Sequence, residues 1–257
     1  MQIAIATISR PYLAKTLESL WASGFEESIT LFVGTPDEAY LDSLPQDRLN
    51  IERMSRALWA EIKDLPSHQK AVANFLRIFE SEDDNILICE DDIEFAPDWL
   101  LILTKIKEQK PDDLIWLYSG SDRQPNELGW ISSLSEWGAC GVFYPKHHRR
   151  QIAQFIRQRM ANPSLPNRWR TEESEEWLLS SGVIAIDQLI NSYLFYGNHR
   201  AIVSVPSCID HMGAITTIEG NETHGPRRAP TFQKNRLEKQ APEPISAFSS
   251  ISSRKTS

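Results

Sequence analysis

The chain has 257 residues, 41% hydrophobic and 24% charged, the balance of an ordinary globular protein long enough to bury one large core. Its net charge of -8 argues against a surface built to grip nucleic-acid phosphates, and its widely spaced cysteines, Cys89, Cys140 and Cys208, form no disulfide or zinc pattern and read as core residues. No apolar run reaches the roughly 18 residues of a membrane span, and the N-terminus lacks the charged start and long apolar core of a leader, so no transmembrane segment and a cytoplasmic location are expected.

Ile3 to Ile8 is a β-type run, followed by Ser9-Arg10-Pro11 and a helical pattern that places Leu13, Leu17, Leu20 and Trp21 on one face. Gly24 stops that helix, and Ile29 to Val33 is a second strand ending in Gly34-Thr35-Pro36-Asp37. The spacing is that of a βαβ unit, whose loops at the strand C-termini form a ligand crevice. A weaker segment begins at Ile51. Ala71, Phe75, Ile78 and Phe79 predict an amphipathic helix from His68 to Phe79, leading into a strand from Ile86 to Cys89. Pro97 opens a helix that runs through Lys105. Leu114 to Tyr118 is a strand, Gly120 to Gly129 a polar loop, Trp137 to Pro145 a small-residue strand and His147 to Met160 a basic helix. Asn162 to Trp177 reads as a loop. Ser180 to Tyr196 contains a helix with Asp187 near its start, and Ala201 to Val205 is a late strand before Pro206-Ser207-Cys208-Ile209-Asp210-His211-Met212-Gly213. The alternation predicts one α/β domain over residues 1–239. Residues 240–257, rich in Pro and Ser and poor in apolar side chains, read as a disordered tail.

The stretch Ile86 to Phe95 drives an apolar strand into three adjacent carboxylates, Glu90, Asp91 and Asp92. Like charges so placed repel unless something positive lies between them, and a divalent cation is the simplest neutraliser. Oxygen-only ligands suit Mg²⁺ or Mn²⁺, and Mg²⁺ typically joins one or two carboxylates to substrate phosphates. The alternative is a solvated turn or a helix N-terminus, where the macrodipole favours negative charge. Charge is also uneven: residues 221 to 257 hold seven Lys or Arg against three Glu, a local +4, which leaves -12 for the rest. Such a basic segment suits folding over an anionic ligand held on the acidic body, the alternative being a solvated tail.

An N-terminal strand ending in Thr7, the EDD triplet after an apolar strand, a Gly-rich strand after a loop, Asp187 at a helix start and the late His211-Met212-Gly213 follow one another in an order that resembles the GT-A superfamily of nucleotide-sugar glycosyltransferases. The resemblance runs from about Ile3 to Gly225 and is locally specific in EDDI and in the PSxxxHxG-like stretch. The ILICEDDIE segment looks most like the LEDDI-type triplet of the N-acetylglucosaminyltransferase IV relatives. The resemblance implies a GT-A, Rossmann-like mixed central sheet flanked by helices. It also implies a metal-dependent transferase moving a sugar from a nucleoside-diphosphate donor, expected to be UDP-linked, to a hydroxyl of a glycan or other acceptor, with inversion preferred.

By position, the resemblance makes Asp92 a ligand of Mn²⁺ or Mg²⁺, has His211 supply a metal or diphosphate contact, and sets Glu90 or Asp91 on the donor ribose or sugar. Thr7, Arg10 and Asp37 would line the nucleotide pocket with Lys70 and Asn74 nearby, Arg227 and Arg228 would meet the diphosphate, and Asp187 would be the catalytic base. Glu172, Glu173, Glu175 and Glu176 are rival bases, though such clusters are usually a solvated face. Trp130, Trp137, Trp169 and Trp177 either stack on sugar or close a core. Two other functions compete. A sugar nucleotidyltransferase needs a Gly-rich phosphate loop after the first strand, where Thr7-Ile8-Ser9-Arg10-Pro11 has no glycine. A non-catalytic scaffold would bind nucleotide sugar or glycan without turnover.

Overall fold

The computed structural model describes residues 1–8, 12–36, 39–81, 84–120, 129–133, 138–170, 177–213 and 228–232. Strand β1 (Gln2–Thr7), helix α1 (Leu13–Ala22) and strand β2 (Ile29–Val33) form the expected βαβ unit, β1 and β2 pairing in parallel from Ile3 opposite Ile29 to Thr7 opposite Val33. β3 (Leu49–Arg53) extends the sheet beside β2, and α2 (Arg56–Ile62) and α3 (Ser67–Glu80) lead to β4 (Ile86–Glu90), which lies parallel to β1 on its other side. There follow β5 (Ile93–Phe95), α4 (Trp99–Gln109), β6 (Leu114–Trp116), β7 (Trp130–Ser133), β8 (Gly141–Tyr144) and α5 (Lys146–Ala161). The chain then forms β9 (Pro166–Arg170), β10 (Trp177–Ser181), α6 (Ile186–Gly197), β11 (Ala201–Ser204) and β12 (Ile209–His211).

The main sheet has the order β3-β2-β1-β4-β8-β6-β11-β7. It is parallel from β3 to β4; β8 then runs against both β4 and β6, β11 lies parallel to β6, and β7 runs against β11. This is the mixed, helix-flanked α/β sheet that the sequence leads one to expect. Successive residues of a strand point to opposite faces, and both faces are covered. Ile3, Ile5, Leu87 and Cys89 pack with Leu13, Leu17 and Leu20 of α1 and Trp99 and Leu103 of α4. Ala4, Ile86 and Ile88 pack with Phe75 and Phe79 of α3, Ile152 and Ile156 of α5 and Leu189 of α6. Each such fully buried Leu, Ile or Phe contributes roughly 1.5–3 kcal/mol of transfer free energy. Burial on both faces is why β1, β2 and β4 are apolar at nearly every position and stand out in the sequence.

Elsewhere the structure corrects the reading. Asn162 to Trp177 is more than a loop: β9 pairs antiparallel with β10, Asn167 opposite Ser180, and the Ser192 hydroxyl of α6 donates to the Arg168 carbonyl at 2.7 Å while accepting from its N–H at 3.0 Å. The weak segment around Ile51 is an edge strand, β3, with Leu49 its one buried residue, followed by α2. Pro97 precedes the α4 N-cap, Asp98, instead of starting the helix, and the strand expected from Trp137 narrows to β8. The 240–257 tail lies outside the described residues. Among the described residues no helix is long and apolar enough to cross a membrane.

Candidate functional site

The carboxylate triplet stands where β4 leaves the sheet, between parallel β1 and antiparallel β8. Glu90 ends the strand, and Asp91 and Asp92 turn the chain into β5. That turn is pinned from three directions. The Glu90 N–H donates to the Cys140 carbonyl at 2.9 Å, and the Met212 N–H donates to the Asp92 carbonyl at 2.7 Å. The Thr16 hydroxyl of α1 lies 3.0 and 2.9 Å from the carbonyls of Asp91 and Ile93 and accepts from the Ile93 N–H at 3.1 Å. β5 pairs antiparallel with β12, which sets His211 opposite Ile93.

The side chains divide the triplet. Asp91 is buried, and its Oδ2 accepts from the Thr7 hydroxyl at 2.6 Å and the Ile8 N–H at 3.3 Å, with the Tyr40 hydroxyl 3.1 Å from the same threonine oxygen. Asp91 thus ties the end of β1 to the end of β4. Asp92 and Glu90 instead flank His211, whose Nε2 is 3.4 Å from Asp92 Oδ2 and 3.8 Å from Glu90 Oε2. Asp92 is fully buried while Glu90 and His211 are partly open. Gly213 passes so close that a Cβ there would collide with the Asp92 carboxylate and crowd the His211 ring. Cys140 belongs to the same spot: one ligand atom each from Glu90, Cys140 and His211 lie within 4.8 Å of one another.

Asp187, in the first turn of α6, reaches the site through one intermediary. Its Oδ1 accepts from the Gln188 N–H at 2.8 Å, a helix N-terminal contact, and its Oδ2 accepts from the Gly138 N–H at 3.4 Å. Gly138 adopts φ +69°, a left-handed conformation that favours glycine, and lies two residues before Cys140. The buried Tyr144 phenol of β8 holds its proton well above the usual range, first through burial and then through the charges of Glu90, Cys89 and Asp187. The Cys89 thiol is likewise pushed up, by burial and then by Glu90.

Other expected site residues have different company. Lys70 donates to the Lys63 carbonyl at 3.1 Å and lies over the Trp59 ring, joining α3 to α2. Asn74 is buried, donating to the Phe32 carbonyl at 2.9 Å and accepting from Arg77 at 2.8 Å; it fastens α3 to β2 one step behind Gly34, whose N–H meets the Thr7 carbonyl. Arg228 contacts Asp210 at 2.5 Å and Glu94 at 3.8 Å, and its pKa is raised chiefly by the Asp210 hydrogen bond. Asp210 and His211 point to opposite faces of β12, so this contact aims Arg228 away from the triplet. Asp210 also accepts from the Ala229 N–H at 2.7 Å, so the pair docks residues 228–232. Trp130 donates to Gln109 beside Lys110 at the end of α4. Arg10, Asp37, Arg227, Trp137, Glu172, Glu173, Glu175 and Glu176, and the side chains of Trp169 and Trp177, lie outside the described residues.

Sequence reading gave no site role to Thr16, Tyr40 or Cys140, and met Gly213 only as the end of the His211-Met212-Gly213 run. A threonine on an otherwise apolar helix face and a glycine two residues after a histidine were the available signals; a lone tyrosine and a cysteine in an apolar stretch gave none.

Fold and site together define a mixed α/β protein with an acidic, histidine-bearing centre at the C-terminal end of a central strand. No protein-family model matches the chain, and no curated protein does. Among solved structures it is similar to S. aureus TarS 1-349, with 10% identity and a TM-score of 0.45 over 79% of this chain and 58% of that one. The same protein in complex with UDP-GlcNAc gives 12% identity and 0.45 over 79% and 56%. A further structure of S. aureus TarS gives 11% identity and 0.46 over 83% and 37%. The chain therefore spans less than two thirds of each of these proteins.

Proposed function

We propose that this chain is a divalent-cation-dependent GT-A glycosyltransferase, moving a sugar from a nucleoside-diphosphate donor, UDP-linked in the first instance, to an acceptor hydroxyl with inversion. The observation that carries the reading is the convergence of Asp92, Glu90 and His211 from β4 and β12 on one spot at the C-terminal end of β4, where α/β sheets of this kind bind their ligands. The donor set fits a divalent cation: carboxylate and imidazole atoms 3.4–3.8 Å apart, with the Gly213 backbone lying close against the Asp92 carboxylate. Asp92 and His211 would hold Mn²⁺ or Mg²⁺, which supplies charge neutralisation for the departing diphosphate.

The protein's own groups do the rest. Asp91, held by Thr7, fixes the end of β1 against the triplet so that the crevice between the two strands keeps its shape. Glu90, part exposed and 3.8 Å from His211 Nε2, stands between the cation and the donor ribose or sugar. Asp187 takes the acceptor hydroxyl proton; it stands in the first turn of α6, with its Oδ2 accepting from the Gly138 N–H at 3.4 Å.

Incubation with a panel of nucleotide sugars, with Mn²⁺ or with chelator, tests the proposal. Release of nucleoside diphosphate from one donor, only with metal, is the expected result. Tight nucleotide binding with no release or transfer for any donor or acceptor would favour the non-catalytic scaffold instead.

A further inference from the structure

We infer that Glu90 and the Cys140 thiol join His211 and Asp92 around this cation site, giving it a mixed sulfur, nitrogen and oxygen set that favours thiophilic ions such as Zn²⁺ and Co²⁺ over Mg²⁺. The inference rests on the cation-site reading above and narrows its choice of metal.

Three elements deliver the three ligands independently. Glu90 comes from the end of β4, His211 from β12, and Cys140 from the residue before β8, and their ligand atoms lie within 4.8 Å of one another. A tetrahedral site with bonds of about 2.3 Å to sulfur and about 2.0 Å to nitrogen spaces its ligand atoms about 3.3–3.6 Å apart. The His211 to Glu90 separation of 3.8 Å is close to that, and a side-chain movement of roughly 1 Å draws the thiol in. The support is rigid: the Cys140 carbonyl accepts the Glu90 N–H, so the sulfur carrier and the carboxylate carrier are joined directly. Glycine at position 138 leaves room for the thiol: a Cβ there would lie 2.9 Å from the Cys140 sulfur. All three cysteines belong to one buried cluster, and the Cys208 sulfur lies 3.0 Å from the Ser204 hydroxyl; what distinguishes Cys140 is the approach of the Glu90 and His211 ligand atoms.

The chemistry follows from the donor types. Sulfur and imidazole bind Zn²⁺ and Co²⁺ better than Mg²⁺, which demands oxygen and gives up water reluctantly. Cys140 binds as thiolate, its proton passing to solvent as the cation enters. The Mn²⁺ or Mg²⁺ expected from the triplet alone therefore describes the oxygen half of the site.

The test uses the full chain and Co²⁺ as a spectroscopic probe, with Zn²⁺, Mn²⁺ and Mg²⁺ affinities from equilibrium dialysis, in the wild type, Cys140→Ser and His211→Ala. The expected result is a thiolate-to-cobalt charge-transfer absorption in the wild type that disappears in Cys140→Ser, with Zn²⁺ affinity falling at least about tenfold and Mg²⁺ affinity nearly unchanged. Cobalt that binds through His211 without that absorption, or an absorption that survives in Cys140→Ser, overturns the role of Cys140 and leaves the cation site standing. Failure of the wild type to bind any of the four ions removes both. Should Cys140→Ser not fold, X-ray absorption of the wild-type cobalt complex decides the matter: a sulfur neighbour supports the inference and its absence refutes it.

Discussion

Two regions of this molecule gather polar side chains, and they do so in opposite ways. On the α5 and α6 side, His148 is buried with its Nδ1 2.6 Å from the Tyr193 hydroxyl, which donates onward to Gln151 at 2.7 Å. His147 and His199 flank it with ring centroids 4.3 and 4.8 Å away. Burial and those two neighbouring rings push the His148 pKa down to about 4, so at neutral pH it is an uncharged imidazole hydrogen-bonded to a phenol and, through it, to an amide. At the end of β4, two carboxylates from one turn instead meet an imidazole from a separate ribbon. A neutral network closes on itself and needs only packing, whereas ionisable groups brought by different elements to one partly open spot are arranged for a charged guest. Burial of a histidine alone marks nothing.

Several variants break or sharpen that contrast. Asp187→Asn should retain donor binding and lose about 10²- to 10⁴-fold in turnover, measured as single-turnover transfer; an undiminished rate would move the base elsewhere. Gly213→Ala places a methyl against the Asp92 carboxylate and should weaken cation affinity about 10- to 100-fold without loss of fold, as read by titration calorimetry and a melting curve. Thr7→Val removes the donor to buried Asp91 and should cost about 1–3 kcal/mol in urea unfolding.

The neutral network gives the smallest effect and one of opposite origin. The folded pKa of His148 lies near 4, below its ordinary 6.5. The unfolded chain therefore takes up a proton that the folded one refuses between those values. Stability is intact above about pH 6.5 and falls as pH drops toward 4, by about 1–2 kcal/mol once solvent screening is allowed for. His148→Gln should flatten the stability profile across this window and leave nucleotide binding untouched.

How much of this was legible in the sequence depends on what each residue reports about itself. β1, β2 and β4 announce themselves because both their faces are covered. β3 and the β9–β10 hairpin are poorly signalled because edge strands need few apolar residues, and β5 and β12, three residues each, are too short for any periodicity. The triplet and His211 were visible as types in order, and the fold brings them together. The division of labour inside the triplet was not visible: Asp91 turns inward because Thr7, 84 residues earlier, lies beside it in the parallel register of β1 and β4. Arg228 looked like a diphosphate ligand because basic residues cluster near it, yet the β5–β12 pairing offers it Asp210 and Glu94 first. Cys140 read as core, and it does belong to the buried cluster; the approach of Glu90 and His211, from distant parts of the chain, left no mark on the apolar stretch around it.

The central claim is that the end of β4 holds a cation which in turn holds a nucleotide. Thermal unfolding of the wild type and Asp92→Ala with UDP, GDP, CDP and dTDP, each with Mn²⁺, Zn²⁺ or chelator, tests it directly. A nucleotide at about 100 times its dissociation constant adds about 2.7 kcal/mol, a rise of a few degrees in a chain of this size. The account predicts that rise for one nucleotide, only with metal and only in the wild type. An equal rise with chelator, or in Asp92→Ala, would contradict it.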